Sequence, residues 1–217
     1  MTKMFAMVVS LALIVGVAVS PVWAVGDKVR SDNAAGPAGD DGGGEAVTNR
    51  GDTVGPNDQS LDVLTDEEIG HITYIREEEK LARDVYLTLY DQYKSQIFAN
   101  ISESEQNHMD AIKGLIDKYE LSDPVQNNTV GMFTNQIFTE LYIELVEKGR
   151  TNYCEALQVG IDIEVLDIKD IKLALEEVDE DDPDDVDDVE KVFLNLLMGS
   201  DNHLNAFENK QEANNCE

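Results

Sequence analysis

From Ile72 onward the apolar positions of the chain recur in steps of three and four, the period of a helix with one buried face. Ile72, Ile75, Ala82, Tyr86, Leu89 and Tyr93 form one line, and Phe98, Ile101, Ile112 and Leu115 a second. Ile137, Leu141 and Leu145 with Val146 form a shorter line. Leu157, Ile161, Ile168 and Ile171, then Val189, Val192, Leu196 and Phe207, complete the set. Punctuation between them is clear. Thr65 followed by Asp66, Glu67 and Glu68 is an N-cap with a capping-box acid, Ser122-Asp123-Pro124 is a stop, and Lys148-Gly149 is a helix C-terminus. The pattern predicts helices from about Asp66 to Tyr93 and from about Gln96 to Glu120, then a short one ending at Lys148-Gly149. A further helix starts at Thr151 or Asn152 and either continues to Val178 or bends after Lys169-Asp170. The last runs from about Asp187 to Glu212. No alternating strand pattern appears. The chain reads as all-α: an antiparallel four-helix bundle of two hairpins, with a short extra helix in the crossover between them.

The polar exceptions on these stripes carry the chemistry. Glu79 interrupts the first line, Glu105 and His108 the second, Glu164 with Asp167 the next, and Ser200 and His203 the last. Glu78 lies close enough to the first stripe to rival Glu79. A single buried histidine is ordinarily a hydrogen-bonded core residue. Carboxylates and imidazoles at mid-length on all four long helices are different, because uncompensated buried carboxylates repel one another and lose hydration. A shared cation resolves both costs. Carboxylate oxygens with one or two imidazoles and no thiolate suit iron or manganese and permit zinc. Two bridged ions need about six protein ligands, a set that Glu79, Glu105, His108, Glu164, Asp167 and His203 supply. His71, two turns before Glu79, reads as a helix-end residue rather than a ligand.

Composition changes this picture little. The 217 residues carry a formal net charge of −29. Such acidity disfavours nucleic acid and anionic membrane as partners and attracts cations. Residues 1–24 combine Lys3, the apolar run from Phe5 to Val19 and small residues at Val22 and Ala24, the pattern of an export signal cleaved after Ala24. The alternative is an uncleaved membrane anchor, although the run is shorter than the roughly 20 residues a spanning helix needs. Residues 25–60 are rich in Gly, Asp, Asn, Ala and Pro without an apolar period and read as a disordered linker, which leaves 61–217 as the folded domain. The acidic run Asp179–Asp185 lacks the glycine of a calcium loop and is interrupted by Pro183, so it is not an EF-hand. Cys154 and Cys216 permit one disulfide in an oxidising compartment, and helix geometry puts their ends at similar heights; two free thiols are the alternative. Neither cysteine has a second ligand-type residue at metal-site spacing.

Two stretches resemble a known family. Glu79-Lys80-Leu81-Ala82-Arg83-Asp84-Val85-Tyr86 is similar to the first-helix motif of rubrerythrins, and Glu105-Gln106-Asn107-His108 to their second-helix Glu-x-x-His motif. More closely, residues from about Arg76 to Phe207 resemble an uncharacterised ferritin-like family known as domain of unknown function 2202. That likeness rests on Glu77–Tyr86, Ile97–Ile101, Ser104–Met109, Glu164–Ile168 and Gly199–Leu204. The resemblance implies a ferritin-like bundle in which Glu79, rather than Glu78, stands with Glu105, His108, Glu164 and His203 at iron-ligand positions. It places Tyr86 behind a ligand carboxylate, donating to it. One position departs from the pattern: Ser200 stands where a symmetric di-iron protein carries Glu, three residues before His203, so Asp167 would have to compensate.

The function this implies is that of an exported, periplasmic or extracellular protein with a non-haem iron or manganese site of up to two ions. Glu105 and Glu164 would bridge, His108 and His203 would each cap one ion, and Glu79 and Asp167 would be terminal. The site would oxidise ferrous iron or reduce peroxide. Dioxygen or peroxide would be the oxidant and a separate protein the electron donor, since the chain has no rubredoxin-type cysteine motif; a homodimer is compatible with this. Two alternatives stand beside it: a metal-binding or buffering module without turnover, and a structural bundle whose polar core fixes helix register.

Overall fold

A computed structural model describes residues 64–178 and 188–216. The expected export signal at 1–24, the linker at 25–60 and the acidic run at 179–185 lie outside them. Five helices make up the described chain: α1 Asp66–Tyr93, α2 Gln96–Lys118, α3 Gln136–Gly149, α4 Tyr153–Val178 and α5 Asp188–Ala213. There is no strand among the described residues. The fold is an all-α helical bundle. None of these helices is long and apolar enough to cross a membrane.

Local chemistry sets the helix ends. Thr65 and Glu68 form a reciprocal capping box, each side chain taking the other's backbone N–H. Lys94 closes α1 in the left-handed region at φ 52° and returns its N–H to Tyr90, leaving a tight turn into α2. Asn135 caps α3 through Ile137 N–H, and Asn152 accepts from Glu155 N–H at the start of α4. α4 continues unbroken past Lys169-Asp170 to Val178.

Cross-helix pairs give the register. Arg83 meets Gln106 and Arg76 meets Met109, so α1 and α2 run antiparallel. Tyr86 with Glu164 and His71 with Glu177 set α4 antiparallel to α1. Ser200 with Asp167 and Gln211 with Gln158 do the same for α5 and α4. His203 with Ser104 joins α5 to α2, which closes the ring. The short helix α3 packs outside, against α1 and α4.

The core has two apolar layers. One gathers Leu81, Ala82, Val85, Tyr86, Leu89, Phe98, Ile101, Leu157, Ile163 and Phe207. The other gathers Ile72, Ile75, Ile112, Leu115, Ile171, Phe193 and Leu196. On each of α1, α2, α4 and α5 the polar interruptions fall between the two layers. The disulfide Cys154–Cys216, with Cα atoms 5.3 Å apart, ties the start of α4 to the tail after α5 beside the first layer.

Three inward assignments shift. Ile137 is 55% exposed and Phe138 is buried in its place, favoured by contact with the rings of Tyr74 and Phe133, which lie tilted against its own. Ile161 and Val192 are only partly covered, while Ile163 and Phe193 beside them are buried. α2 ends at Lys118, two residues early, with Glu120 at φ 54° turning the chain.

Candidate metal centre

Between the two apolar layers the four long helices place Glu79, Glu105, His108, Glu164, Asp167 and His203, all buried. Two groups of three can each offer atoms within 4.8 Å of one another: Glu79, Glu105 and His108, and Glu105, Glu164 and His203. Glu105 belongs to both. Its Oε2 lies 2.8 Å from Nδ1 of His108 and its Oε1 3.0 Å from Nδ1 of His203, so the two oxygens divide between the histidines. His108 Nδ1 also lies 3.2 Å from Glu79 Oε2, and His203 Nδ1 3.6 Å from Glu164 Oε2. The imidazole rings stack with centroids 5.5 Å apart. Both present the same ring nitrogen to the carboxylates.

The other ring nitrogens are held from the opposite helix. Nε2 of His203, on α5, lies 2.9 Å from Oγ of Ser104 on α2. Nε2 of His108, on α2, lies against Gly199 on α5, where an added Cβ would run into the ring. A glycine inside a helix costs up to about 1 kcal/mol relative to alanine, and here that cost gives His108 its place. Gly160 makes a similar close approach: a Cβ there would stand 2.6 Å from the Phe207 ring under the site.

Behind Glu164 stands Tyr86. Its fully buried hydroxyl donates to Glu164 Oε1 at 2.7 Å, which is the contact expected from the first-helix motif. Asp167 is buried beside the centre but belongs to neither group of three. Ser200 donates to its Oδ2, so the residue that departs from the family pattern spends its hydroxyl on Asp167. Glu79, not Glu78, enters the cluster. Glu78 is 2% exposed and neither of its oxygens has a hydrogen-bond partner in the protein. His71 pairs with Glu177 at 2.5 Å, away from the centre.

The electrostatics are those of a site short of positive charge. Burial, with the neighbouring carboxylates, pushes Glu79 and Glu164 up to about 8, and moves Glu78 and Asp167 well above the ordinary carboxylate range. Burial works the same way on Glu105, but the two histidines, His108 at 2.8 Å and His203 at 3.0 Å, outweigh it and bring it down to about 2. Desolvation opposes charge on the imidazoles. The surrounding carboxylates win and carry His108 to about 11 and His203 to about 10. At neutral pH the protons of the two histidines and of the raised carboxyls therefore stand in for metal charge. Glu79 Oε1, Glu105 Oε1, Asp167 Oδ1 and His203 Nδ1 are buried without a hydrogen-bond partner in the protein. Orphaned donor atoms converging from four helices fit a cation, because coordination satisfies them together, whereas desolvation otherwise costs ~1–3 kcal/mol for each group.

Sequence reading missed the neighbours that hold these side chains. Ser104 carried no signal of its own. Gly199 and Gly160, inside otherwise helical stretches, carried a weak one: an interior glycine marks a close approach.

Over 144 residues, which are 66% of this chain and 75% of the other, the chain is 50% identical to the uncharacterized protein MJ0754 of Methanocaldococcus jannaschii. Its structure resembles the crystal structure of hypothetical protein MJ0754 from Methanococcus jannaschii with a TM-score of 0.67 and 46% identity, covering 71% of this chain and 85% of that one. The model of an uncharacterized protein domain, DUF2202, matches residues 68–217. By that match the chain belongs to the DUF2202 family.

Proposed function

We propose that this is a ferritin-like protein whose helices hold a pair of divalent transition-metal ions, iron or manganese, in a carboxylate–histidine centre, exported to work outside the cytoplasm. The observation that carries the proposal is Glu105, one buried carboxylate shared by two triads with a histidine on each oxygen. Glu79 and His108 complete the ligands of one ion, Glu164 and His203 those of the other. Tyr86 steadies Glu164 and Ser104 orients His203; hydrogen bonds of this kind to ligands typically account for 10–100-fold in metal affinity. Bound iron would supply one-electron chemistry toward dioxygen or peroxide. The protein's part is to keep the ligands buried between two apolar layers and to give up the protons that metal displaces from them. Ferrous iron added to the metal-stripped protein in air is expected to oxidise faster than with Glu105→Ala, followed by absorbance. Equal rates would remove the redox reading.

A second reading, a metal-holding module without turnover, draws on Asp167. With Asp167 turned to Ser200 and outside both triads, each ion has three protein donors, one of them shared. Retention of the metal without any oxidation of ferrous iron would favour this reading.

A further inference from the structure

Glu78 is a buried carboxyl, 2% exposed, with neither oxygen hydrogen-bonded in the protein. Its place follows from two contacts that bracket it on α1. Tyr86 meets Glu164 and His71 meets Glu177, so the antiparallel register sets the middle of α1 against residues near 170 of α4. Asp167 and Asp170, one turn apart on α4, therefore face Glu78 across the α1–α4 seam. The charges acting on Glu78 agree with this placement: Asp167 first, then Asp170 and Glu79, with Lys169 alone opposing them. Asp167 is 3% exposed and keeps its Oδ1 without a partner, since Ser200 occupies only Oδ2. Asp170 is partly open to solvent at 15% of its side chain and is paired with Lys169 at 2.9 Å, whose own side chain is 72% exposed.

We infer that Glu78 and Asp167, with Asp170 at the solvent side, form an additional all-carboxylate cation site next to the histidine triads, through which ions pass to reach them. Glu78 Oε1 and Oε2 from α1 and Asp167 Oδ1 from α4 are three buried oxygens without a hydrogen-bond partner in the protein. The site contains no imidazole, so its preference is for hard divalent cations such as manganese or magnesium, bound with some of their water retained. Asp170 is held by the exposed Lys169 and by the Tyr74 hydroxyl, and an ion would displace Lys169. The inference rests on the reading of the triads as metal ligands and adds to it a site that shares none of their residues.

The test uses the full chain, stripped of metal by chelator and titrated with manganese(II), with free ion read from its paramagnetic resonance signal. A second series is preloaded with zinc(II), which the imidazole-containing triads favour. The wild type is expected to take up one more manganese ion per chain than Glu78→Gln in both series, and Glu78→Gln is expected to load its triads more slowly. Asp167→Asn should repeat the loss. Circular dichroism checks that each variant keeps its helices. Uptake by Glu78→Gln with wild-type number, affinity and rate would overturn the inference. His203→Ala tells the two failures apart. If it lowers uptake while Glu78→Gln does not, only the additional site is lost; if neither variant changes uptake, the triads fail as well.

Discussion

Helix α1 buries charged residues on two opposite faces, and the two faces treat charge in opposite ways. On the outer face, under the loop before α3, each buried charge has a partner in the protein. Lys80 donates to Asp84 at 2.5 Å and to Thr129 O at 3.0 Å, and its ammonium sits 4.4 Å over the ring of Phe133. Arg83 donates to Asp84 and Gln106, Arg76 to Asp123 and Met109 O, and Glu77 receives the backbone N–H groups of Thr134 and Asn135. Gly131, at φ 77°, brings its N–H to Asp84, where a Cβ would press on Tyr142. On the inner face Glu78 and Glu79 look toward other carboxylates, and Glu78 Oε1 and Oε2, Glu79 Oε1, Glu105 Oε1 and Asp167 Oδ1 lack hydrogen-bond partners in the protein. One helix thus shows that this sequence can satisfy buried charge when structure is the purpose. The unsatisfied face is the one proposed to hold metal.

The strongest way to break the comparison is to remove one carboxylate from each face of the metal-free protein. Asp84→Ala leaves Lys80 and Arg83 buried without their partner and is expected to cost ~3–5 kcal/mol, a melting temperature lower by on the order of 10 °C. Glu79→Gln should leave metal-free stability nearly unchanged, since the carboxyl it replaces already holds a proton at neutral pH. Urea unfolding of both compares them; similar losses would erase the distinction between the faces.

Metal should reverse the order. At a free ion concentration about 100 times the Kd, binding adds ~2.7 kcal/mol to the stability of the wild type. Glu105→Gln, which takes a donor from both triads, should lose most of that gain, measured against its own stability in chelator. Differential scanning calorimetry with and without manganese reads both.

A further effect is expected from pH. Glu79 and Glu164 hold protons in the folded state up to about 8 that the unfolded chain has given up above its ordinary value of 4.5. His108 and His203 hold theirs to about 11 and 10 against 6.5. All four bind more protons folded than unfolded, so metal-free stability should fall as pH rises from 5 to 9. Metal affinity should rise over the same range because cation and protons compete. Calorimetric titration in buffers of different ionisation enthalpy should show proton release on metal binding; no release would contradict the protonated site. Ser104→Ala should have the smallest effect on the fold, leaving the melting temperature of metal-free protein nearly unchanged and weakening metal binding by 10–100-fold, with Ser104→Thr restoring part of it.

The inner face was legible in the sequence because a helical stripe reports its own interruptions. Glu79, Glu105, His108, Glu164 and His203 stand where apolar residues should, and the structure brings these five together. Asp167 was expected as a sixth ligand and lies beside the cluster, held by Ser200, a pairing that depends on the α4–α5 register and on nothing in either helix alone. The outer face was not legible. Periodicity shows which side of α1 is apolar, but Arg76, Glu77, Lys80, Arg83 and Asp84 are covered by a segment some 50 residues away whose path no local pattern fixes. Ile137 failed for a related reason: both it and Phe138 fit a short stripe, and contact with Tyr74 and Phe133 decides between them.

Metal content after stripping and reloading tests the central claim most directly. Protein treated with chelator, exposed to excess manganese or anaerobic ferrous iron and passed through a desalting column is expected to retain two ions per chain, one for each triad. Retention should drop in Glu105→Gln, and the melting temperature should rise with loading. A protein that keeps no ion, and whose melting temperature ignores both chelator and metal, would contradict the account and leave the inner face a structural network.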